Sequence, residues 1–561
     1  MEKRTGSDDV KKQGFLYGSA VLIASALIVK VMGALFRIPL ANMLGGFGMG
    51  CFSAAYGIFM PVYAISVTGL PAAVARSVSA AAARDRLSDT LAVRKTALRL
   101  FGAVGLLASL LIMLGAYPLC RFASGDVSAV PAVIAIAPTV LAGCLVSVYR
   151  GYAEGMRNMY PTAVSQVIEG AGKVIFGLGL CGLTLWTAEN RPELFTAVTG
   201  CASLEREAVI PYGAAAAVLG ITLSSFAGLI YMLIRDRGES RSDDGERFTG
   251  EDKKRIAREL LATAVPAAVG ALVINLTSLI DLVTVMRSLK RLTETSPHIF
   301  SGLLGSGIAY DEMPNFIYGS FTGLAVTVFN LVPSVTNMFG KSMLPAAAAA
   351  KAEGDMSRLG ECAKGAVLAA ALVSVPSGLG IFAVGEPILR TLFGGRELEI
   401  AVCAESMKIL GLAVPFVCIS SAAFSVLQAA DRADIPVKIM AVGAAVKLMG
   451  NIVLTAQPRL NVTGAAISTL LCYILICIMS AVMLARHCGF DLKGFSGTFL
   501  RILISGAVCA VTAFFTFNWL SVNGNNAVIT LVSCCAGGIF FILATYFSGI
   551  FTKSTLKMLI S

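Results

Sequence analysis

Histidine is almost missing from this chain, and charge of either sign is scarce. Two histidines in 561 residues, His298 and His487, exclude a histidine-built metal centre. Only 14% of the residues are charged, against roughly 25% in soluble globular proteins, so the chain cannot clothe a water-facing surface. Period-two alternation is lacking too: the apolar runs are continuous, which excludes a membrane β-barrel and leaves helices. The 14 cysteines follow no metal or disulfide spacing, and many lie inside apolar runs as small hydrophobes. No nucleophile sits beside a base. The longest connection on the outer side, Arg287–Pro314, offers Glu294, His298, Asp311 and Glu312 in no catalytic arrangement. An enzyme such as a polysaccharide polymerase or ligase is therefore disfavoured.

What remains is an all-α integral membrane protein with about 14 transmembrane helices. Apolar residues make up 56% of the chain. The spans fall roughly at 15–36, 48–69, 97–118, 129–149, 161–187, 209–234, 260–286, 315–338, 364–384, 403–426, 437–456, 462–485, 499–520 and 527–549. The first span is long enough to remain as a helix, so no cleaved signal is needed. The net charge of +11 does not indicate nucleic acid, because the Lys and Arg residues cluster in the short connections between spans. With the N-terminus inside, the inner connections hold about three times as many as the outer ones. That bias predicts a multi-pass protein of the cell inner (plasma) membrane with both termini cytoplasmic.

The longest polar linker, 235–258, carries eight basic residues suited to the anionic inner leaflet. It divides the chain into an N-lobe (1–234), a C-lobe (259–486) and a C-terminal helix pair (487–561). A weak repeat supports the division. Pro161 followed by Lys173 resembles Pro436 followed by Lys447, and Gly213-Ala214-Ala215 resembles Gly464-Ala465-Ala466. Six spans per half return the chain to the same side, so the lobes are expected as two parallel six-helix repeats. Spans thirteen and fourteen are read as packing or lipid-facing.

A charge at mid-bilayer costs at least about 2.5 kcal/mol, so each one inside a span needs an account. Lys30 and Arg37, seven residues apart, share a face of the first helix. They are either snorkelling cations or the lining of a hydrated cavity. Gln166, Glu169 and Lys173 form one polar stripe on span five, with Glu169 and Lys173 spaced i,i+4 as a self-neutralised pair or a cavity wall. Lys447 is the repeat counterpart of Lys173, with Asn451 one turn on. Two lysines from equivalent helices are expected to face one central cavity that takes an anionic ligand. Arg76, following Gly69-Leu70-Pro71, is a further cation for that cavity. Arg150 and Glu154 in an inner connection are topology-setting charges or an inner gate. Asp281, alone on span seven, is an ion or proton site or the partner of a cavity lysine. Glu405 and Lys408 read as a satisfied pair on span ten.

These residues describe a two-lobe, alternating-access transporter for an anionic substrate. A phosphate or pyrophosphate headgroup fits, with its polyprenyl tail in lipid. The chain is expected to act as a monomer among membrane lipids, without nucleic acid and without a cofactor, with H+ or Na+ as the open choices for a coupling ion. The rival is a multidrug cation antiporter, which would want an acidic, aromatic-lined pocket.

Three motifs, in order, carry a family resemblance: Val29-Lys30-Val31-Met32-Gly33-Ala34-Leu35-Phe36-Arg37-Ile38-Pro39-Leu40, then Gly45-Gly46-Phe47-Gly48-Met49-Gly50, then Gly69-Leu70-Pro71-Ala72-Ala73-Val74-Ala75-Arg76. They resemble the stage V sporulation protein B family, whose relatives include lipid II flippases of the multidrug/oligosaccharidyl-lipid/polysaccharide exporter superfamily. Arg150-Gly151-Tyr152 matches the same pattern. The resemblance implies export of a lipid-linked oligosaccharide or peptidoglycan precursor, in a wall, spore-cortex or capsule setting. It also implies basic residues at the positions of Lys30 and Arg37. The family commonly has Arg where this chain has Lys30, which replaces a bidentate phosphate fork with a point charge.

Overall fold

A computed structural model describes residues 15–84, 87–201, 205–239, 250–305, 308–521 and 527–550. The basic N-terminal segment, the middle of the polar linker and the C-terminal tail lie outside the described residues. So do Arg86, Arg241, Arg247, Lys553 and Lys557, which count among the inner cations.

Among the described residues every regular element is a helix. In the N-terminal half these are α1 (Phe15–Val67), α2 (Leu70–Ala82), α3 (Leu87–Leu114), α4 (Ala116–Ala123), α5 (Val130–Ile136), α6 (Pro138–Gly155), α7 (Tyr160–Gly172), α8 (Gly179–Asn190), α9 (Pro192–Thr199) and α10 (Arg206–Glu239). The C-terminal half has α11 (Gly250–Thr295), α12 (Ser301–Leu304), α13 (Met313–Ser320), α14 (Val326–Ser342), α15 (Leu344–Ala352), α16 (Met356–Leu392), α17 (Glu397–Ala429), α18 (Asp434–Leu454) and α19 (Asn461–Cys488). The chain closes with α20 (Leu492–Leu520) and α21 (Ala527–Phe547). Short π-helical turns join α7 to α8 (Lys173–Leu178) and α13 to α14 (Phe321–Ala325).

Thirteen of the described helical stretches are long and apolar enough to cross a membrane. The first counts twice. Its stretch Ala24–Ala82 holds 59 residues, about 90 Å of helix and nearly three bilayer cores. It turns back at Gly45, whose φ of +67° and ψ of −172° lie outside helical space. The rings prove the reversal: Phe36 and Phe52 have centroids 6.1 Å apart, whereas a straight helix would separate them by about 24 Å. The two expected spans therefore run on toward each other and meet at one glycine elbow, with no loop between them. Fourteen crossings result. The even number places the start of α1 and the end of α21 at one end of the bundle, opposite the elbow.

Packing follows the halves. In the first, α3 lies on α6, α2 on α6, and α10 on α7 and α8. In the second, α17 lies on α16 and α19, and α20 and α21 pair with each other against α16. The long α1 is the seam, packed on α7 and α10 on one side and on α11 and α13 on the other. Glycine makes the seam close. A Cβ at Gly50 would fall 2.0 Å from Asn315 Oδ1, and one at Gly319 would fall 1.8 Å from the Gly46 carbonyl oxygen. Only a hydrogen at these positions lets α1 and α13 approach so nearly.

Candidate transport site

The elbow leaves backbone polar groups unpaired, as any break in a helix does. A pair at the start of α17 takes them up. Glu399 accepts the Gly46 N–H at 3.1 Å, and the Arg396 guanidinium donates to the carbonyls of Asn42 and Met43. Arg396 and Glu399 are 3.6 Å apart, and Asn42 Nδ2 donates to the Leu392 carbonyl at 3.0 Å. Glu399 is buried. This clasp joins the two halves at the elbow end. Beside it lies a cavity of about 400 Å³ lined by Gly45, Phe47, Glu207, Glu312 and Arg396. Arg396 and Glu399 carry no signal in the sequence, where both look like ordinary polar residues of a short connection. The nearest hint is Gly45-Gly46, which marks a turn in need of a cap.

On the other side of the elbow, α1 carries Lys30 and Arg37. At 100° per residue they share a face with Ala26, Gly33 and Ala34, while Leu27, Val31 and Leu35 occupy the next face. Lys30 is exposed, and a Cβ at Gly33 would meet nothing within 4 Å, so open space lies beside the lysine. Arg37 lies 6.0 Å from the Phe52 ring centroid across the fold-back. The same helix meets α7: Gly170 packs on Met32 and Val29, and Ser25 donates to Gln166 Oε1 at 3.2 Å. Lys173 follows Gly170 by one turn, at the first residue of the π-helical turn, and is half-buried. Lys30 and Lys173 thus stand on adjacent helices.

The ion pairs differ from the sequence expectation. Glu169 does not pair with Lys173. It binds Arg150 of α6 at 3.0 Å, and Arg150 Nε donates to Ser165 at 2.9 Å. The guanidinium spans both residues, its Nε hydrogen-bonded to Ser165 and its Nη2 at ion-pair distance from Glu169. Arg150, read as gate or topology charge, is a strut between α6 and α7. Glu154 is half-buried one turn further along α6, and Arg76 is exposed on α2. Lys173 makes no ion pair among the described residues, although it lies within electrostatic reach of Glu169 and Arg150. Glu405 and Lys408 are both exposed and form no ion pair either.

In the C-terminal half, Lys447 of α18 is buried and binds Asp281 of α11 at 2.6 Å. Asn451 donates to Asp281 at 2.8 Å and to Thr284 at 3.0 Å. Lys447 is therefore not the free cavity cation of the repeat argument. Of the two readings of Asp281, the geometry shows the lysine-paired one. The remaining crossings, α20 and α21, line an apolar groove of about 540 Å³ with α14 and α16; Val328, Leu372, Pro376, Cys509 and Phe541 are among its walls. These two helices contribute a concave hydrocarbon surface as well as packing.

A family model described as Polysaccharide biosynthesis protein matches residues 15–349, and one described as MatE matches residues 320–453. Stage V sporulation protein B of Bacillus subtilis (strain 168) is 23% identical over 503 residues, covering 89% of each chain. Lipid II flippase MurJ of the same organism is 21% identical over 559 residues, covering 96% of each. Among solved structures, a lipid II flippase MurJ in an inward closed conformation superposes with a TM-score of 0.64 at 12% identity, covering 95% of this chain and 98% of that one. An inward-facing multidrug resistance MATE family transporter of the MOP superfamily gives 0.59 at 12% identity, over 84% and 98%. The fold is therefore the all-helical one of these solved structures, and three of these four proteins are named as flippases or transporters rather than as enzymes.

Proposed function

Because the chain belongs to the polysaccharide biosynthesis protein family, we propose that it is a flippase that carries a polyprenyl-pyrophosphate-linked oligosaccharide or peptidoglycan precursor from the inner to the outer leaflet. The observation that carries this reading is the balance of charge inside the crossings. Both carboxylates there that the multidrug reading would need are already bound to cations, Glu169 to Arg150 and Asp281 to Lys447. Two further cations, Lys30 of α1 and Lys173 at the end of α7, stand on adjacent helices. A pyrophosphate is the complementary charge.

In this reading the N-lobe (1–234) and the C-lobe (259–486) rock about the α1 seam, on either side of the 235–258 linker. The elbow end faces outward and both termini face the cytoplasm. The pyrophosphate enters from the inner leaflet past Arg76, meets Lys30, Lys173 and Arg37, and leaves when the Arg396–Glu399 clasp releases the elbow. Neutralising the headgroup lowers the cost of taking a polar group through hydrocarbon. The tail stays in lipid or along the groove of α20 and α21. No covalent bond changes. A membrane potential contributes about 2.3 kcal/mol per charge per 100 mV to outward movement of net negative cargo.

The test is reconstitution. Vesicles containing the protein, loaded with lipid II or with another polyprenyl-pyrophosphate sugar, are expected to expose the headgroup outside faster than empty vesicles. Extrusion of cationic dyes with no movement of either lipid would overturn the reading in favour of the multidrug antiporter.

A further inference from the structure

A second cavity, of about 490 Å³, lies between the two halves near the elbow end. The N-terminal half supplies Tyr117 and Arg121 of α4, and Asp126 of the turn after it. The C-terminal half supplies Lys290 and Glu294 of α11, and Tyr310 and Asp311 ahead of α13. Bonds fix these walls. Asn315 Nδ2 donates to Asp126 Oδ2 across the halves at 3.0 Å, and Asp126 Oδ1 accepts the Ser128 N–H at 2.9 Å. Arg287 stacks on the Phe122 ring, 4.6 Å from its centroid, and donates to the Phe122 carbonyl at 3.1 Å. The Tyr310 hydroxyl donates to the Thr293 carbonyl, which ties its ring to α11.

The lining decides what can enter. Three carboxylates face two cations, and among the described residues Arg121, Lys290, Glu294 and Asp311 form no ion pair with one another. The acids repel a pyrophosphate, and the bases repel a bare cation. A neutral group that needs donors and acceptors together meets both. Tyr117 and Tyr310 are 54% and 42% exposed, so each offers a flat apolar face to the C–H side of a sugar ring. The volume is that of a small-molecule site, on the order of 300–1,000 Å³.

We infer that this cavity is a saccharide subsite at the outer mouth, where Tyr117 and Tyr310 stack on the uncharged sugar of the cargo and the four unpaired charges bond its hydroxyl and amide groups. The inference rests on the flippase reading for a sugar-bearing cargo and for the outward direction of the elbow end. It divides recognition in two, with the phosphates at Lys30 and Lys173 and the sugar here. The walls come from both halves, so the subsite is whole only while Asn315 holds Asp126. Separation of the halves at this end takes the subsite apart and frees the sugar.

The experiment titrates full-length protein in lipid nanodiscs with lipid-free sugars, triacetylchitotriose and maltotriose, and reads binding by saturation-transfer NMR. At least one sugar is expected to bind saturably. Tyr117→Ala and Tyr310→Ala are each expected to weaken it by about fivefold, the loss of one stacked ring. Trp186→Ala, which removes an exposed aromatic residue outside the cavity, is expected to bind as wild type does. The Tyr117 hydroxyl makes no hydrogen bond among the described residues, so Tyr117→Ala is read alone should Tyr310→Ala not fold. No saturable binding of either sugar overturns the inference, as does an equal loss in Trp186→Ala, or binding of the dipeptide D-alanyl-D-alanine in place of both sugars. The probes carry neither pyrophosphate nor tail. Failure to bind sugar by protein that moves the lipid therefore removes the subsite alone, and sugar bound by protein that moves no lipid removes the flippase reading alone.

Discussion

Glu399 reaches back 353 residues to accept the backbone N–H of Gly46 at 3.1 Å. One buried carboxylate thereby ties the elbow of the first helical hairpin to the start of α17. The bond matters because α1 is laid on α13 through glycines beside the same elbow. A transporter that opens at this end has to break it.

Substitution at the elbow tests this. A side chain at Gly45 would adopt a φ of +67° and bring its Cβ to 2.8 Å from Arg396 Nη1. Gly45→Ala is expected to cost about 1–3 kcal/mol, measured as a lowered melting temperature. Glu399→Gln keeps the shape and can still accept from Gly46, but it loses the charge that holds Arg396. It is expected to cost less than Gly45→Ala and to raise the accessibility of a cysteine probe placed at Phe47. A Gly45→Ala variant as stable as wild type contradicts the account of the clasp.

The two membrane ion pairs should differ in what their loss does. Removing one partner of a buried pair costs about 3–5 kcal/mol when the other charge is stranded. Asp281 has no second cation among its bonded neighbours, so Lys447→Ala falls in that range. Glu169 has Lys173 four residues on, in favourable helical spacing. Arg150→Ala is therefore expected to be milder, with Lys173 taking over, and Arg150→Ala/Lys173→Ala to be worse than the sum of the single changes. Additive melting shifts would contradict the substitution of one cation for the other.

Glu312 gives the elbow end a pH dependence. It precedes α13, outside the crossings. Burial first, then the carboxylates of Glu207, Asp311 and Asp126, push its carboxyl up from 4.5 to about 7. The groups around it are mixed in sign, since Arg396, Glu397 and Glu399 line the same cavity. A raised carboxyl pKa means that the folded state resists ionisation. This group's destabilisation is absent below about pH 4.5 and grows as pH rises toward 7. Glu312→Gln is expected to melt with wild type at pH 4.5 and above it at pH 8. An equal gap at both pH values, or no gap at pH 8, contradicts the assignment.

The crossings were legible in the sequence because hydropathy and helical periodicity are local. The same holds for the shared face of Lys30 and Arg37. Bonds between distant helices were not legible. Local spacing favours Glu169 with Lys173, yet α6 brings the Arg150 guanidinium alongside α7. One reading of Asp281 made it the partner of a cavity lysine, but the choice of Lys447, 166 residues away, was not legible. The signal behind that reading is that Asp281 is the solitary charge of its span, and opposite charges in hydrocarbon tend to find each other. The Arg396–Glu399 clasp had no such signal, since it satisfies backbone groups that a single glycine's dihedral angles set free.

The central claim is that Lys30 of α1 and Lys173 at the end of α7 meet the anionic headgroup. Its most direct measurement is the rate at which reconstituted protein moves a polyprenyl-pyrophosphate lipid, compared among wild type, Lys30→Ala, Lys173→Ala and Lys30→Arg. The expected result is a loss of about tenfold or more for each alanine variant, from one charge-assisted contact, with Lys30→Arg retaining most of the rate. Movement at the wild-type rate by both alanine variants, folded and at equal density in the membrane, would contradict it.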